Sequence, residues 1–256
     1  MSTRSERHFI QSLARGLAVL QVFSRQHPAV TLSEAASLTG LTRATARRIL
    51  LTLEELGYVR AEGRRFLPTP RVLAIGYAYL SSLDLWEGAE PHMAELAERT
   101  GESCSAATLD GAEVVYVARV PARRVMAVNL SVGARLPAYP TSLGRVLLAA
   151  LGPAALDEHL ARVELRALTP RTVTDPARLR GILQEVRGQG WALVDQELED
   201  GVRSIAAPVR DRAGRVVAAM NVSGHAGRVS VQQLREQFLP LLLAAAKQVS
   251  EQVRRR

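Results

Sequence analysis

Arg43, Ala44 and Arg47 stand where a protein could read a polymer of bases. On a helix, residues four apart lie one above the other. Arg43 and Arg47 therefore project together from the first two turns of any helix starting near Thr42, with Ala44 beside them. A guanidinium is a planar fork of N–H donors, and in the major groove it can donate a bidentate pair to O6 and N7 of guanine. Ala44 and Thr45 are small enough to let the backbone approach, and a methyl can touch the methyl of thymine. Arg48, and Arg64 with Arg65 further on, are better placed for phosphates, which attract any cation without regard to sequence.

The surrounding elements position these side chains. Thr31 followed by Glu34 forms a capping box that starts a helix, and Gly40 suits the left-handed residue that ends it. The Thr42 hydroxyl caps the next helix. In that helix Ala46, Ile49, Leu50, Leu53 and Leu56 recur at helical spacing and face inward. An earlier helix over residues 12–23 turns Leu13, Leu17, Leu20 and Val22 or Phe23 toward the same core. Residues 58–66, YVRAEGRRF, then read as a short basic hairpin. An amphipathic helical hairpin with a solvated arginine face shares part of this pattern. The glycine-centred basic wing in the expected place favours a winged helix-turn-helix, with the second helix of the motif in the major groove.

Charge supports the same partner. The chain has 256 residues and a formal net charge of +8. Residues 1–70 hold ten arginines and five acids, so more than half of the excess sits on about a quarter of the chain. Only Lys247 is a lysine, a bias that points to a GC-rich coding sequence. A hydrophobic content of 47% with 23% charged residues suits a globular protein of one large or two ordinary domains. A single cysteine, Cys104, excludes an intramolecular disulfide framework and fits a reducing cytosol. The polar N-terminus lacks the apolar core of a signal peptide, and the longest apolar run is broken by Gly152-Pro153. A cytoplasmic protein with no membrane partner is expected.

Beyond the wing the character changes. Residues 71–85 read as one apolar helix, a linker and dimer contact presenting Leu73, Tyr77 and Leu80. Residues 91–99 form another helix. Strands follow at 103–109 and 113–120, joined at Asp110-Gly111, with a third at 126–132. Helices are expected at 142–151, 153–163 and 176–187, the last capped by Asp175. Strands at 191–195, 204–210 and 216–223 lead to a closing helix over 231–253. The fold class is α+β: residues 1–70 form the winged helix-turn-helix, 71–87 the linker helix, and 88–256 a second domain of antiparallel sheet with flanking helices.

In this order of elements the chain resembles the IclR family of bacterial transcriptional regulators, essentially from end to end. The resemblance is carried by residues 41–53, by LPAYPTSLGR at 136–145, by WALVDQE at 191–197 and by GVRSIAAPV at 201–209. ESCS at 102–105 and HAGRVS at 225–230 are similar to the branch controlling protocatechuate, 4-hydroxybenzoate and β-ketoadipate catabolism. The resemblance implies a GAF-like effector-binding second domain, and a homodimer formed through the first domain or a homotetramer. It also implies a small-molecule pocket between the sheet and the loop entering the helix at Ser142. The matching positions are Ser142, Leu143, Gly144, Ser204, Asn221 and Ser223. Some relatives have cysteine where this chain has Ser204, so contacts to the ligand head group do not carry over.

Asn221 and Ser223 are two apart and share one face of a strand. Hydroxyls, an amide and helix-start N–H groups suit a carboxylate effector. Arg119, at a strand end, could bind that carboxylate bidentately, in competition with Arg123 and Arg124. Asp195 and Glu197, two apart on one strand face, read as structural or pocket-rim acids, since no nucleophile or metal ligand accompanies them. The five histidines show no zinc-like spacing, and no Walker or dinucleotide loop appears. No cofactor or metal is expected. The sequence therefore reads as a non-enzymatic, one-component regulator that binds an operator in duplex DNA and a small carboxylate. The alternatives are an enzyme carrying a DNA-binding module and a redox sensor acting through Cys104.

Overall fold

In the computed structural model, which describes residues 8–24, 26–82, 85–122 and 130–255, the chain divides into units at residues 1–82 and 83–256. The first begins with α1 (Gln11–Leu20), β1 (Val30–Thr31), α2 (Leu32–Thr39) and α3 (Arg43–Glu55). The hairpin of β2 (Val59–Glu62) and β3 (Arg65–Pro68) follows. The capping box at the start of α2 is complete: the Glu34 N–H donates to Thr31 Oγ1 at 3.3 Å and the Thr31 N–H to Glu34 Oε2 at 2.7 Å. Gly40 ends α2 at φ 67°. A two-residue strand, β1, was not expected; it pairs with β3, so the sheet runs β1-β3-β2.

Val19, Val30, Ala35, Leu50, Val59 and Phe66 form the core of this unit. Three residues expected to face inward do not: Leu13, Leu17 and Leu56 are exposed. α1 uses Val19 for the core and turns its 13/17 stripe toward a groove of 680 Å³ between α1 and α3, to which Ile75 also contributes. A 3₁₀ turn at Pro70–Val72 leads into α4 (Leu73–Ser82), and α5 runs from Leu85 to Thr100; residues 83–84 lie outside the described residues. The α-helical part of the expected linker therefore begins at Leu73 rather than at residue 71. The side chain of Leu80 lies outside the described residues. Pro91, read as a helix start because proline favours that position, sits inside α5. There it leaves the Glu87 carbonyl without its usual helical donor.

The second unit continues with β4 (Ser103–Asp110), β5 (Glu113–Val120) and β6 (Arg135–Pro137). Next come α6 (Ser142–Ala149), α7 (Pro153–Arg162), α8 (Pro176–Gln189), β7 (Ala192–Asp195), β8 (Val202–Arg210) and β9 (Val216–His225). The six strands are antiparallel in the order β6-β5-β4-β9-β8-β7. The third described strand is β6, and the strand expected at 126–132 falls mostly on residues outside the description. Residues 123–129, with Arg123 and Arg124, lie outside the described residues, and Leu130–Val132 are not strand. β6 follows the turn at Gly133 and is pinned by Arg135, whose guanidinium reaches Asp110 and Glu113 at 2.7 Å each.

The closing helix is interrupted. α9 (Val231–Gln233) passes through a π turn at Leu234–Phe238 into α10 (Leu239–Arg255). Leu239 N–H reaches back to Leu234 O across the widened turn, just before Pro240, which has no N–H to give. α6 packs on one face of the sheet against β4, β7, β8 and β9, with α8 outside it. α5 and α10 pack against each other and against the strands β4, β5, β8 and β9.

Candidate functional site

The first unit presents a basic surface on α3 and the wing. Ala46 and Leu50 are fully buried and fix the inward side of α3. Arg43, Ala44, Arg47 and Arg48 are exposed in two adjacent rows, 43 with 47 and 44 with 48. Thr42 caps the helix by accepting from the Thr45 N–H at 3.2 Å. Thr45 is half-buried and its hydroxyl lies 2.9 Å from that of Thr42. It lines the groove on the α1 side, as Arg48 does at its edge. In the wing, Gly63 at φ 61° permits the two-residue turn that carries Arg64, and Arg64 and Arg65 are exposed. Arg60 is paired with Glu62. Glu54 ties the wing to α3 by accepting from the Ala61 N–H at 3.1 Å.

Strand pairing builds the second site. Ser103, Ser223, Ser204 and Val194 form one cross-strand row, and Arg119, Ser105, Asn221 and Ala206 the next. Paired residues point to one face of a sheet, so these rows bring an arginine, an amide and four hydroxyls together. A register shift between Ala106 and Ala107 makes Tyr116 the partner of Ala107, which carries its ring onto the same face. The residues of both rows except Ala206, with Tyr116, Thr141 and the apolar side chains of Leu130, Leu198 and Val202, line a cavity of 40 Å³. Burial pushes the Tyr116 hydroxyl up to about 12. Burial also lowers the Arg119 pKa from its usual value, though it remains a cation.

Ser204, Asn221, Ser223 and Arg119, all singled out in the sequence, line this cavity. Ser142 is fully buried behind it, its Oγ 2.8 Å from Ser204 Oγ. Leu143 and Gly144 lie elsewhere: Leu143 belongs to the apolar core under α6, and Gly144 is where that helix meets the preceding loop. A Cβ there would stand 2.0 Å from the Ala138 carbonyl oxygen. Ser103, Ser105, Tyr116 and Thr141 were missed. Thr141 is the N-cap of α6, accepting from the Gly144 N–H at 3.0 Å, and the T-x-x-G spacing was its available signal. The others become neighbours only through register.

Asp195 and Glu197 do not share a strand face. β7 ends at Asp195, and Gln196 turns the chain at φ 61°. Asp195 pairs with Arg203 at 2.8 Å. Glu197 pairs with Arg145 at 2.6 Å and accepts from the Val173 N–H at 3.0 Å. Both acids are held by structural partners. Cys104 is fully buried, and burial pushes its thiol up to about 12, which disfavours the reactive thiolate. No described group of histidines, cysteines and acids could hold a metal ion. No described helix is long and apolar enough to cross a membrane.

Comparison with known proteins identifies both units. Residues 12–63 match the IclR helix-turn-helix domain, and residues 77–251 the C-terminal domain of bacterial IclR transcriptional regulators. The chain is 47% identical over 246 residues to the Pca regulon regulatory protein of Pseudomonas putida, covering 96% of this chain and 84% of that protein. Among solved structures, a protein from Rhodococcus sp. RHA1 described as a transcriptional regulator superposes with a TM-score of 0.85 at 49% identity, over 96% of this chain and 98% of its own. An IclR homologue from Microbacterium hydrocarbonoxydans, complexed with 4-hydroxybenzoate, gives a TM-score of 0.85 at 28% identity, covering 96% and 100%. Regulators rather than enzymes populate this group, and the enzymatic alternative falls with it. The chain belongs to the IclR family of bacterial transcriptional regulators and is a DNA-binding regulator with an effector-binding domain.

Proposed function

We propose that this regulator controls genes of aromatic-acid catabolism in the cytoplasm, and that its effector is a small carboxylate: protocatechuate, 4-hydroxybenzoate or β-ketoadipate. The observation that carries the reading is the polar patch in the sheet, where Arg119, Ser105, Asn221, Ser103, Ser223 and Ser204 share one enclosed face. A carboxylate buried there is stabilised only if several donors hydrogen-bond it, and this face supplies a cation and hydroxyls within two adjacent rows. The relatives support the pathway: one is a regulator of the Pca regulon, and another was solved with 4-hydroxybenzoate.

Arg43, Ala44 and Arg47 would read bases, with Thr42, Thr45 and Arg48 at the same helix start. Arg64 and Arg65 would hold phosphates. The working species is a homodimer, alone or paired into a tetramer, because one winged unit offers too few base contacts for the specificity a genome demands. The division into residues 1–70, 71–87 and 88–256 then assigns DNA reading, dimer contact and effector sensing in that order.

An effector that binds here regulates only by its preference for one of two states of the protein, since equal affinity for both would shift nothing. Calorimetric titration of the full chain with the three acids tests this, beside operator binding with and without each acid. Ser204→Ala should weaken acid binding by about 1–3 kcal/mol while leaving operator affinity without acid unchanged. Wild-type acid affinity in that variant would move the pocket elsewhere.

A further inference from the structure

Reading this cavity as a carboxylate site, as above, leaves open what the ligand carries at its other end. Arg119 on β5, Ser105 on β4 and Asn221 on β9 occupy one row of the sheet. Arg119 and Asn221 thus stand two strand spacings apart, roughly 10 Å between backbones. Arg119 is the one charged residue among the described residues lining the cavity, so it fixes where a carboxylate belongs. The Tyr116 ring and the side chains of Leu130 and Leu198 supply apolar wall.

Asn221 is 4% exposed. Its Nδ2 donates to Ser223 Oγ at 2.9 Å. Its Oδ1 is buried without a hydrogen-bond partner among the described residues. An amide oxygen can only accept, and an unpaired buried acceptor keeps its full desolvation cost. A ligand group meeting it must donate. A hydroxyl does so. A carboxylate would set acceptor against acceptor and bury a second negative charge at the end away from Arg119.

We propose that the cavity selects a hydroxylated aromatic monocarboxylate over a dicarboxylate, with the carboxylate facing Arg119 and the ring hydroxyl donating to Asn221 Oδ1. This rests on the effector reading above and divides its candidates. Protocatechuate and 4-hydroxybenzoate carry the donor; β-ketoadipate, with a carboxylate at each end, does not.

The test is calorimetric titration of the full-length protein with 4-hydroxybenzoate, 3-hydroxybenzoate, benzoate, terephthalate and adipate. The better hydroxybenzoate should bind at least about tenfold more tightly than benzoate, the size expected when one buried acceptor is left unpaired. Terephthalate and adipate should bind more weakly than that hydroxybenzoate. In Asn221→Leu the advantage of the hydroxyl should shrink to within about twofold, whereas Arg119→Gln should weaken every acid alike. Adipate or terephthalate binding as tightly as the hydroxybenzoates overturns the proposal, as does a hydroxyl advantage that survives in Asn221→Leu. The wild-type series decides the matter if that variant does not fold. Should no acid bind at all, the effector reading fails and this assignment goes with it; acids that bind without regard to the hydroxyl defeat this assignment alone.

Discussion

The guanidinium of Arg145 meets the carboxylate of Glu197 at 2.6 Å, with only 3% and 10% of the two side chains exposed. Arg145 Nε also donates to the Tyr139 carbonyl at 3.0 Å. One buried pair therefore joins α6, the loop before it and the turn after β7, which carries the cavity residue Leu198. Removing one partner leaves the other charge buried and unpaired. Arg145→Met or Glu197→Gln should each cost about 3–5 kcal/mol. Replacing both by apolar residues should recover most of that loss, because desolvation of the pair largely offsets its attraction. Urea unfolding followed by tryptophan fluorescence measures it, since Trp86 and Trp191 both belong to the second unit. Single-variant losses below about 1 kcal/mol would mean the pair behaves as a surface one.

Two classes of arginine should separate on DNA. Arg43→Ala or Arg47→Ala should lose about 1–3 kcal/mol on the operator and relax its sequence preference. Arg64→Ala or Arg65→Ala should weaken all duplexes alike and lower the salt-dependence slope by about one for each phosphate no longer neutralised. Fluorescence anisotropy on operator and scrambled duplexes across a salt series distinguishes them. Equal losses of both classes on both duplexes would contradict the assignment.

Which parts were legible in the sequence follows from the range of the interactions involved. The capping box at Thr31 and Glu34, the Gly40 turn and the Thr42 cap are local hydrogen bonds, and each is where its spacing predicted. Of the polar residues expected from the family resemblance, Ser204, Asn221 and Ser223 line the cavity, while Ser142 lies buried behind Ser204. What stayed hidden depends on distant pairing. Ser105 joins the site only because β4 registers against Asn221 and Arg119, and Tyr116 only because a bulge shifts that register. Leu13 and Leu17 show the other limit: helical periodicity reveals an apolar stripe, but not which surface covers it.

His159 gives the protein an acid sensitivity with a definite sign. Burial lowers its pKa from the ordinary value of 6.5, the smaller opposing effect being a hydrogen bond to the Gly111 backbone. Its Nε2 is buried without a partner among the described residues. The neutral ring is favoured in the fold, so the unfolded chain binds the proton more readily. That contribution to stability is full above pH 6.5 and declines as the pH falls below it. Thermal unfolding at pH 7.5 and pH 5.5 should show a larger loss for the wild type than for His159→Gln. An equal loss in the two proteins would remove His159 as a source.

Uncovered apolar surface in the first unit is concentrated on α4 and in the groove beside α1. Leu73 and Tyr77 are 73% and 67% exposed, and Ile75 and Tyr79 about half. No charged residue occurs between Arg71 and Asp84. A helix apolar on every side is stable in water only when something covers it, and contiguous apolar surface on this scale marks an interaction site. The groove lined by Leu13, Leu17, Leu20, Ile49, Leu53 and Leu56 is a second such surface in the same unit. A two-fold partner could bury both at once, since each copy brings one helix and one groove. Leu73→Glu and Tyr77→Glu should therefore shift the protein to monomer in sedimentation velocity at micromolar concentration. The fold should survive, because these side chains are mostly exposed within their own chain. Affinity for a two-half-site operator should fall by at least about tenfold once the second half-site is no longer engaged by a tethered partner, while affinity for a single half-site changes little. Variants that stay dimeric with full operator affinity would place the dimer contact elsewhere on the chain.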